Sequence, residues 1–391
     1  MSETYEYAVV GLGALGSATA YHLARRGLSV VGLEQFPLGH AHGASHDSSR
    51  ILRHSYHTPG YVGLTFDAYD DWAALEADSG RQLVSVVGGL DLYPPDPAIP
   101  MADYTTSMAA QGVPFEELDR DEVAARWPQL VLPEGTVGVY QERGAIVPAA
   151  RGTAVMQDRA RAHGAELRDG SPVTSVRDLG ARGIEVEAAG TTYRCRRLVV
   201  CADAWTNQVL TGLGHHIPLT VTLEQVTYFR PERPERFAQG TLPLWLWMDD
   251  PCYYGFPCYG EDTVKAAQDC GGPPVTADER SYDVDEAMQG ALADFMARTL
   301  PGAGPPVRSV RCLYTLVPDR DFVLGPVPGH EAVLVGMGAA HGFKFAPTLG
   351  RLLATMAVEG TAEDSTAADL APFRLDRPGL TDAGYATHWL V

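Results

Sequence analysis

Three glycines and one acid near the start of the chain carry the first chemical signal. Gly11, Gly13 and Gly16 are spaced G-x-G-x-x-G, directly after the apolar run Tyr5 to Val10. That short, β-branched run reads as a buried strand, and Ala14 to Arg26 follows it with helical periodicity. Gly11 permits a tight turn, Gly13 lets backbone approach a pyrophosphate, and Gly16 lets helix pack on strand. The helix N-terminus then turns its amide dipoles toward the phosphates. Glu34 closes a second apolar run, Leu28 to Leu33. A carboxylate there accepts hydrogen bonds from both ribose hydroxyls and repels a 2′-phosphate. Strand, turn, helix, strand and terminal acid in this order predict a βαβ dinucleotide site. The motif suits FAD and NAD equally.

Other stretches carry groups suited to an anion or an aromatic ring. Gly39 to Ser49 is rich in Gly, Ser and His, and small hydroxyls with backbone amides can line a phosphate or a flavin. Arg50 and Arg53 follow, three apart, so on a helical turn they share a face. Val199 to Trp205 reads as a buried strand running into a small-residue turn, a second place for a dinucleotide to touch the sheet. Gly336 to Phe345 is a glycine-rich strand-to-helix turn that invites a ligand against backbone. Trp245, Trp247, Tyr253, Tyr254, Phe256 and Tyr259 are either sheet core or the wall of an apolar pocket. Lys265 lies in the strand-like run Thr263 to Ala267. Cysteines 195, 201, 252, 258, 270 and 312 lack paired metal spacing and read as reduced thiols.

Further elements must position these groups. Helical patterns cover Tyr61 to Ala77, Ile99 to Gly112, Leu118 to Arg126, Arg151 to His163, Asp285 to Leu300 and Pro347 to Val358. Strand patterns cover Val84 to Tyr93, Val137 to Gln141, Pro218 to Arg230, Leu242 to Tyr259, Phe322 to Gly325 and Ala332 to Val335. Five short strands are expected between Ala165 and Cys201, and Ala145 to Pro148 is expected as a turn into the following helix. With 391 residues the chain exceeds one average domain and predicts two.

A 45% hydrophobic content fits a soluble globular protein. Lys plus Arg number 30 against 49 Asp plus Glu, a net charge of −19, which argues against nucleic acid or an anionic membrane as partner. No apolar run approaches transmembrane length, and no signal peptide precedes the first strand, so a cytoplasmic location is expected.

Taken together, the segments resemble the monomeric sarcosine oxidase family, which includes N-methyltryptophan oxidases. The most specific pieces are Gly11-x-Gly-x-x-Gly16 with Glu34, Ser49-Arg50-Ile-Leu-Arg53-His54, Tyr253-Tyr-Gly-Phe-Pro257, Arg311-Cys312-Leu-Tyr314-Thr315 with Pro318-Asp319, and His341-Gly-Phe-Lys344-Phe345. They occur in family order with family spacing over nearly the whole chain. The resemblance implies an α/β fold in which a Rossmann-type FAD-binding domain is interleaved with an α+β substrate domain on a mainly antiparallel sheet. The expected division is residues 1–83, 145–215 and 310–391 for FAD, and 84–144 and 216–309 for substrate.

It also implies FAD joined covalently through Cys312, with Arg311 stabilising the attacking thiolate. Arg53 and Lys344 match the pair that binds a substrate carboxylate. Arg50 matches a cation beside the flavin and Lys265 one near its N5, where a fixed positive charge stabilises superoxide-like charge. Tyr254 and Tyr314 match aromatics flanking the amine, while His341 and Ala340 fall in the loop over the ring. Ser49, Val173, Gly342 and Lys344 complete the implied cofactor contacts.

The chain departs from the family pattern at three places. Asp269 stands where sarcosine oxidases carry a histidine, and an acid there favours a protonated amine or a cationic side chain. Ala339-Ala340 replaces Ser-Gly, and Trp245 is expected at a pocket position held by a smaller residue. The implied activity is oxidation of a secondary α-amino acid, N-methyl or N-alkyl, to an imine that hydrolyses, with oxygen reduced to hydrogen peroxide. A cyclic imino acid substrate of proline or pipecolate type is the alternative, and a non-catalytic flavin-binding protein is a third. The expected partners are a small amino acid and oxygen, with the protein a monomer.

Overall fold

The computed structural model describes residues 2–390. The strand Ser2–Val10 sits inside the first sheet, parallel to Thr191–Val200 on one side and Val30–Leu33 on the other. Glu166–Arg168 extends this parallel set beyond Val30–Leu33, and His330–Met337 joins the end of Thr191–Val200. These strands are covered on both faces, which is why Ala8 to Val10 and Val30 to Leu33 are unbroken apolar runs. The helices Ala14–Arg25, Ala149–Ala162 and Ala346–Glu359 pack against this sheet and one another. A Cβ at Gly350 would stand 2.4 Å from that of Ala18, so glycine permits the close crossing of two of these helices.

Thr191–Val200 is one strand where two were expected. Arg194 and Arg196 break the apolar run but point outward, while Tyr193 and Cys195 point inward, a period-two pattern that continues the strand. Its first half pairs antiparallel with Ile184–Ala188, which pairs in turn with Val173–Asp178.

The second sheet has eight strands in the order Pro306–Leu316, Thr220–Phe229, Val264–Gln268, Tyr253–Phe256, Leu244–Trp247, Gly89–Tyr93, Val137–Gln141 and Glu116–Asp119. All neighbours are antiparallel except Leu244–Trp247 against Gly89–Tyr93. Helix Glu286–Thr299 covers its back, started by Asp285, whose side chain accepts from the Met288 amide. The boundary expected at 310 falls inside Pro306–Leu316, which pairs along its length with Thr220–Phe229. That strand belongs to the second sheet and carries Cys312 toward the first.

A small third sheet joins Arg50–Leu52, Ala145–Val147 and Ser85–Val86. Ala145–Val147 is therefore a strand rather than a turn. The Arg50 segment is likewise extended, so the shared helical face expected for Arg50 and Arg53 does not form. Residues three apart in extended chain face opposite ways, and the two arginines take separate surroundings.

Candidate active site

One long cleft runs between the two large sheets. Gly11, Gly13, Glu34, Arg50, Arg53, Val173, Tyr254, Asp269, Cys312, Tyr314, Ala340, His341, Gly342 and Lys344 all line it. Residues far apart in sequence, and from every motif singled out above, thus share one wall.

At one end the glycines make the turn that the fingerprint predicts. Gly11 has φ +87°, and a Cβ there would lie 2.4 Å from the Cys201 carbonyl. A Cβ on Gly16 would lie 1.8 Å from the Gly11 carbonyl, so Gly16 serves helix–strand packing behind the wall. Helix Ala14–Arg25 begins with the Ala14 amide donating to the Ser45 hydroxyl at 2.9 Å and has no acid in its first turn, so its positive dipole end is not neutralised by a charge of its own. Glu34 accepts from the Leu12 amide at 2.8 Å and the Phe36 amide at 3.1 Å, with His40 Nε2 at 3.5 Å. Burial opposes its charge, but these hydrogen bonds outweigh it and hold the carboxyl below its ordinary range.

Farther along, Lys265 is 3% exposed and stands just behind the wall. Its Nζ lies 2.6 Å from Asp47 Oδ2, and it donates to the Ser49 carbonyl at 3.0 Å and hydroxyl at 3.3 Å. Ser49 thus holds the lysine and does not itself line the cleft. Burial, then the charge of Arg50, push Lys265 down to about 8 against the pull of Asp47. Arg50 donates to the carbonyls of Ser49, Ala44 and His46 at 2.8, 2.8 and 3.1 Å. Burial pushes the Cys312 thiol up to about 11, and Arg50 is the leading opposing charge. Arg311 does not take that role. It is one residue away on a strand, faces the other side, and bonds the Leu223 carbonyl at 3.1 Å.

At the other end Arg53 and Lys344 converge on Tyr56. Lys344 Nζ donates to the Tyr56 hydroxyl at 2.7 Å, and the Arg53 guanidinium lies 5.6 Å from the Tyr56 ring centre. Trp72, an apolar helix residue in the sequence, is core and also donates from Nε1 to the Lys344 carbonyl at 2.8 Å, pinning the turn. His341 Nε2 lies 3.0 Å from the Arg320 carbonyl, which can only accept, so this nitrogen carries the proton. Its Nδ1 then accepts from Tyr56 at 3.4 Å, and burial with the charges of Arg320 and Lys344 keeps the ring neutral. Ala339 and Ala340 hold φ +42° and +70°, left-handed conformations that cost on the order of 1 kcal/mol each for alanine.

Two expectations fail here. Trp245 is 0% exposed and packs behind the sheet against Phe295, ring centres 6.1 Å apart. Side chains alternate along the strand, so its neighbour Leu246 lines the cleft instead. Asp269 is not free to attract a cationic substrate group, because Arg320 Nη2 lies 2.8 Å and 2.9 Å from its two oxygens.

The DAO family of FAD dependent oxidoreductases matches residues 6–356. The chain belongs to this family. It is 35% identical to the monomeric sarcosine oxidase of Streptomyces avermitilis, covering 92% of this chain and 95% of that one. It is 31% identical to the peroxisomal sarcosine oxidase of Homo sapiens, covering 97% and 98%. Among solved structures it superposes on NikD, an unusual amino acid oxidase essential for nikkomycin biosynthesis, with TM-score 0.84 and 28% identity over 95% of this chain and 97% of that one. The glycine cradle, the helix start with no acid in its first turn and the paired acceptor oxygens of Glu34 fit the ADP half of FAD, the family's cofactor.

Four residues that shape this FAD-dependent site were missed in the sequence. Asp47 pairs Lys265, Asp91 pairs Arg53, Arg320 pairs Asp269, and Tyr56 bridges Lys344 to His341. Asp91 carried a signal: a charge in the middle of the otherwise apolar strand Gly89–Tyr93. Arg320 carried none, since a charged residue is ordinary in a turn; Asp47 lay in the Gly39 to Ser49 stretch already singled out, but nothing local marked it as the partner of Lys265.

Proposed function

We propose that the protein oxidises the C–N bond of a secondary α-amino acid, releasing an imine that water hydrolyses, with oxygen reduced to hydrogen peroxide. FAD, when bound, takes two electrons from the amino acid and passes them to oxygen. The observation that carries this reading is the convergence of Arg53 and Lys344, from distant segments, on Tyr56 in the cleft that begins at Gly11. Two cations brought together in a buried pocket suit one carboxylate, Arg53 by a forked contact and Lys344 as a point charge. Burial, then Arg53, push the Lys344 amine well below its ordinary range, and a bound carboxylate restores its ammonium.

Tyr254 and Tyr314 wall the pocket beside this anchor and exclude water from the amine. His341, neutral and fixed by the Arg320 carbonyl, orients Tyr56 rather than taking a proton. Lys265 supplies positive charge from behind, where oxygen is reduced. Cys312 is the point of covalent attachment to FAD, its thiolate aided by Arg50. The enzyme works as a cytoplasmic monomer on a small amino acid; among the described residues no helix is long and apolar enough to cross a membrane.

Aerobic incubation with N-methyl amino acids tests the reading. It predicts peroxide and formaldehyde in equal amounts. Peroxide without formaldehyde from proline or pipecolate alone moves the assignment to cyclic imino acids, and no peroxide from any secondary amino acid rejects it.

A further inference from the structure

All but one of the charges facing the substrate end of the cleft are closed into pairs. Arg53 Nη1 donates to both oxygens of Asp91, at 2.9 and 3.0 Å, and the Ser55 hydroxyl donates to the same carboxylate. Arg320 is matched in the same way by Asp269. Lys265 is matched by Asp47. Glu224, another buried acid, accepts from the amides of Gly271 and Gly272 and from Thr222, and stands behind the wall. Arg50 gives its donors to backbone carbonyls beside Cys312, on the cofactor side. His341 is neutral. Lys344 alone at this end has no carboxylate partner among the described residues, only the Tyr56 phenol at 2.7 Å.

The pairing of Arg53 leaves its binding edge open. Only Nη1 is engaged; Nε and Nη2 make no hydrogen bond among the described residues. Asp91 thus cancels the charge of Arg53 while leaving its donors for a ligand. In a buried pocket a surplus charge is poorly screened, so the count of unmatched charges selects the charge of the ligand.

We propose that Asp91 and Asp269 set the charge of the substrate: by cancelling Arg53 and Arg320 they leave Lys344 as the single cation to be matched, so the pocket accepts one carboxylate and discriminates against two. This rests on the reading that Arg53 and Lys344 capture a carboxylate. It makes the two acids specificity-determining residues that act through the arginines they hold.

The test titrates the FAD-loaded enzyme with succinate and with its monoamide succinamate, which differ in charge but hardly in shape, following the flavin difference spectrum. The wild-type enzyme is expected to bind succinate at least tenfold more weakly than succinamate. Asp269→Asn and Asp91→Asn should each shrink that ratio tenfold or more, chiefly by tightening succinate. Removing a whole pair in Arg320→Met/Asp269→Leu should leave the ratio near wild type, which a merely structural role of Asp269 does not predict. If Asp91→Asn does not fold, the Asp269 variants decide. Equal wild-type affinities, or a ratio unmoved by the Asn variants, overturn the proposal. A wild-type enzyme whose spectrum answers to neither acid instead rejects carboxylate capture, and the proposal with it.

Discussion

Lys265 Nζ, behind the cleft wall, and Asp47 Oδ2, from a residue that lines it, lie 2.6 Å apart, one from a strand of the second sheet and one from the loop after Glu34. Asp47 is held at φ +75°, and its other oxygen accepts from the Tyr228 hydroxyl. Removing one partner of a buried pair leaves the other uncompensated, a cost of about 3–5 kcal/mol. The lysine therefore owes its charge to a residue outside the family motifs.

A pH dependence follows from that pair. If the Lys265 ammonium meets oxygen, the rate of flavin reoxidation falls as pH rises through about 8, where burial has placed its pKa. Asp47→Asn removes the anion that favours the ammonium, so the fall moves to lower pH. Lys265→Met should slow reoxidation about 10²–10³-fold and leave anaerobic reduction much less affected. Stopped-flow reoxidation across pH checks all three; a flat wild-type profile counts against the role.

Cys312 gives a second prediction. Acid precipitation should leave the yellow colour in the pellet, and Cys312→Ser should release it to the supernatant. Arg50 opposes the burial that holds the thiol near 11, so Arg50→Met should slow attachment of FAD to apoprotein while Arg311→Met leaves it unchanged. Colour released from the wild-type protein rejects the covalent bond.

Trp245 gives a third. Its indole fills the space behind the sheet, and a Cβ on Gly255 would lie 2.3 Å from it. Trp245→Ala should lower stability by about 3–5 kcal/mol in urea unfolding and leave the affinity for a carboxylate inhibitor within about twofold. A large loss of affinity with stability intact would return Trp245 to the pocket.

These positions show what a single sequence reveals. The βαβ unit was legible because a turn of glycines, a buried strand and a terminal acid each have local causes. Val137–Gln141 and Ile184–Ala188 were legible at their ends because turns flank them. Trp245 was misplaced because the face of a strand depends on register, and one residue of difference exchanges the two sides. Arg50 and Arg53 were read as helical because nothing local marks a three-residue strand whose hydrogen bonds go to Ala145–Val147. The ion pairs of Asp47, Asp91 and Arg320 join segments far apart in sequence, so only the fold makes them partners.

The central claim is that a carboxylate held by Arg53 and Lys344 presents a secondary amine to the bound flavin. Anaerobic mixing of the FAD-loaded enzyme with a secondary amino acid, and separately with the amine that lacks its carboxylate, tests this most directly. The account predicts rapid loss of the flavin's visible absorption with the amino acid, little with the bare amine, and strong slowing in Arg53→Met and Lys344→Met. Equal bleaching by the two compounds, or no bleaching by any secondary amino acid, would contradict it.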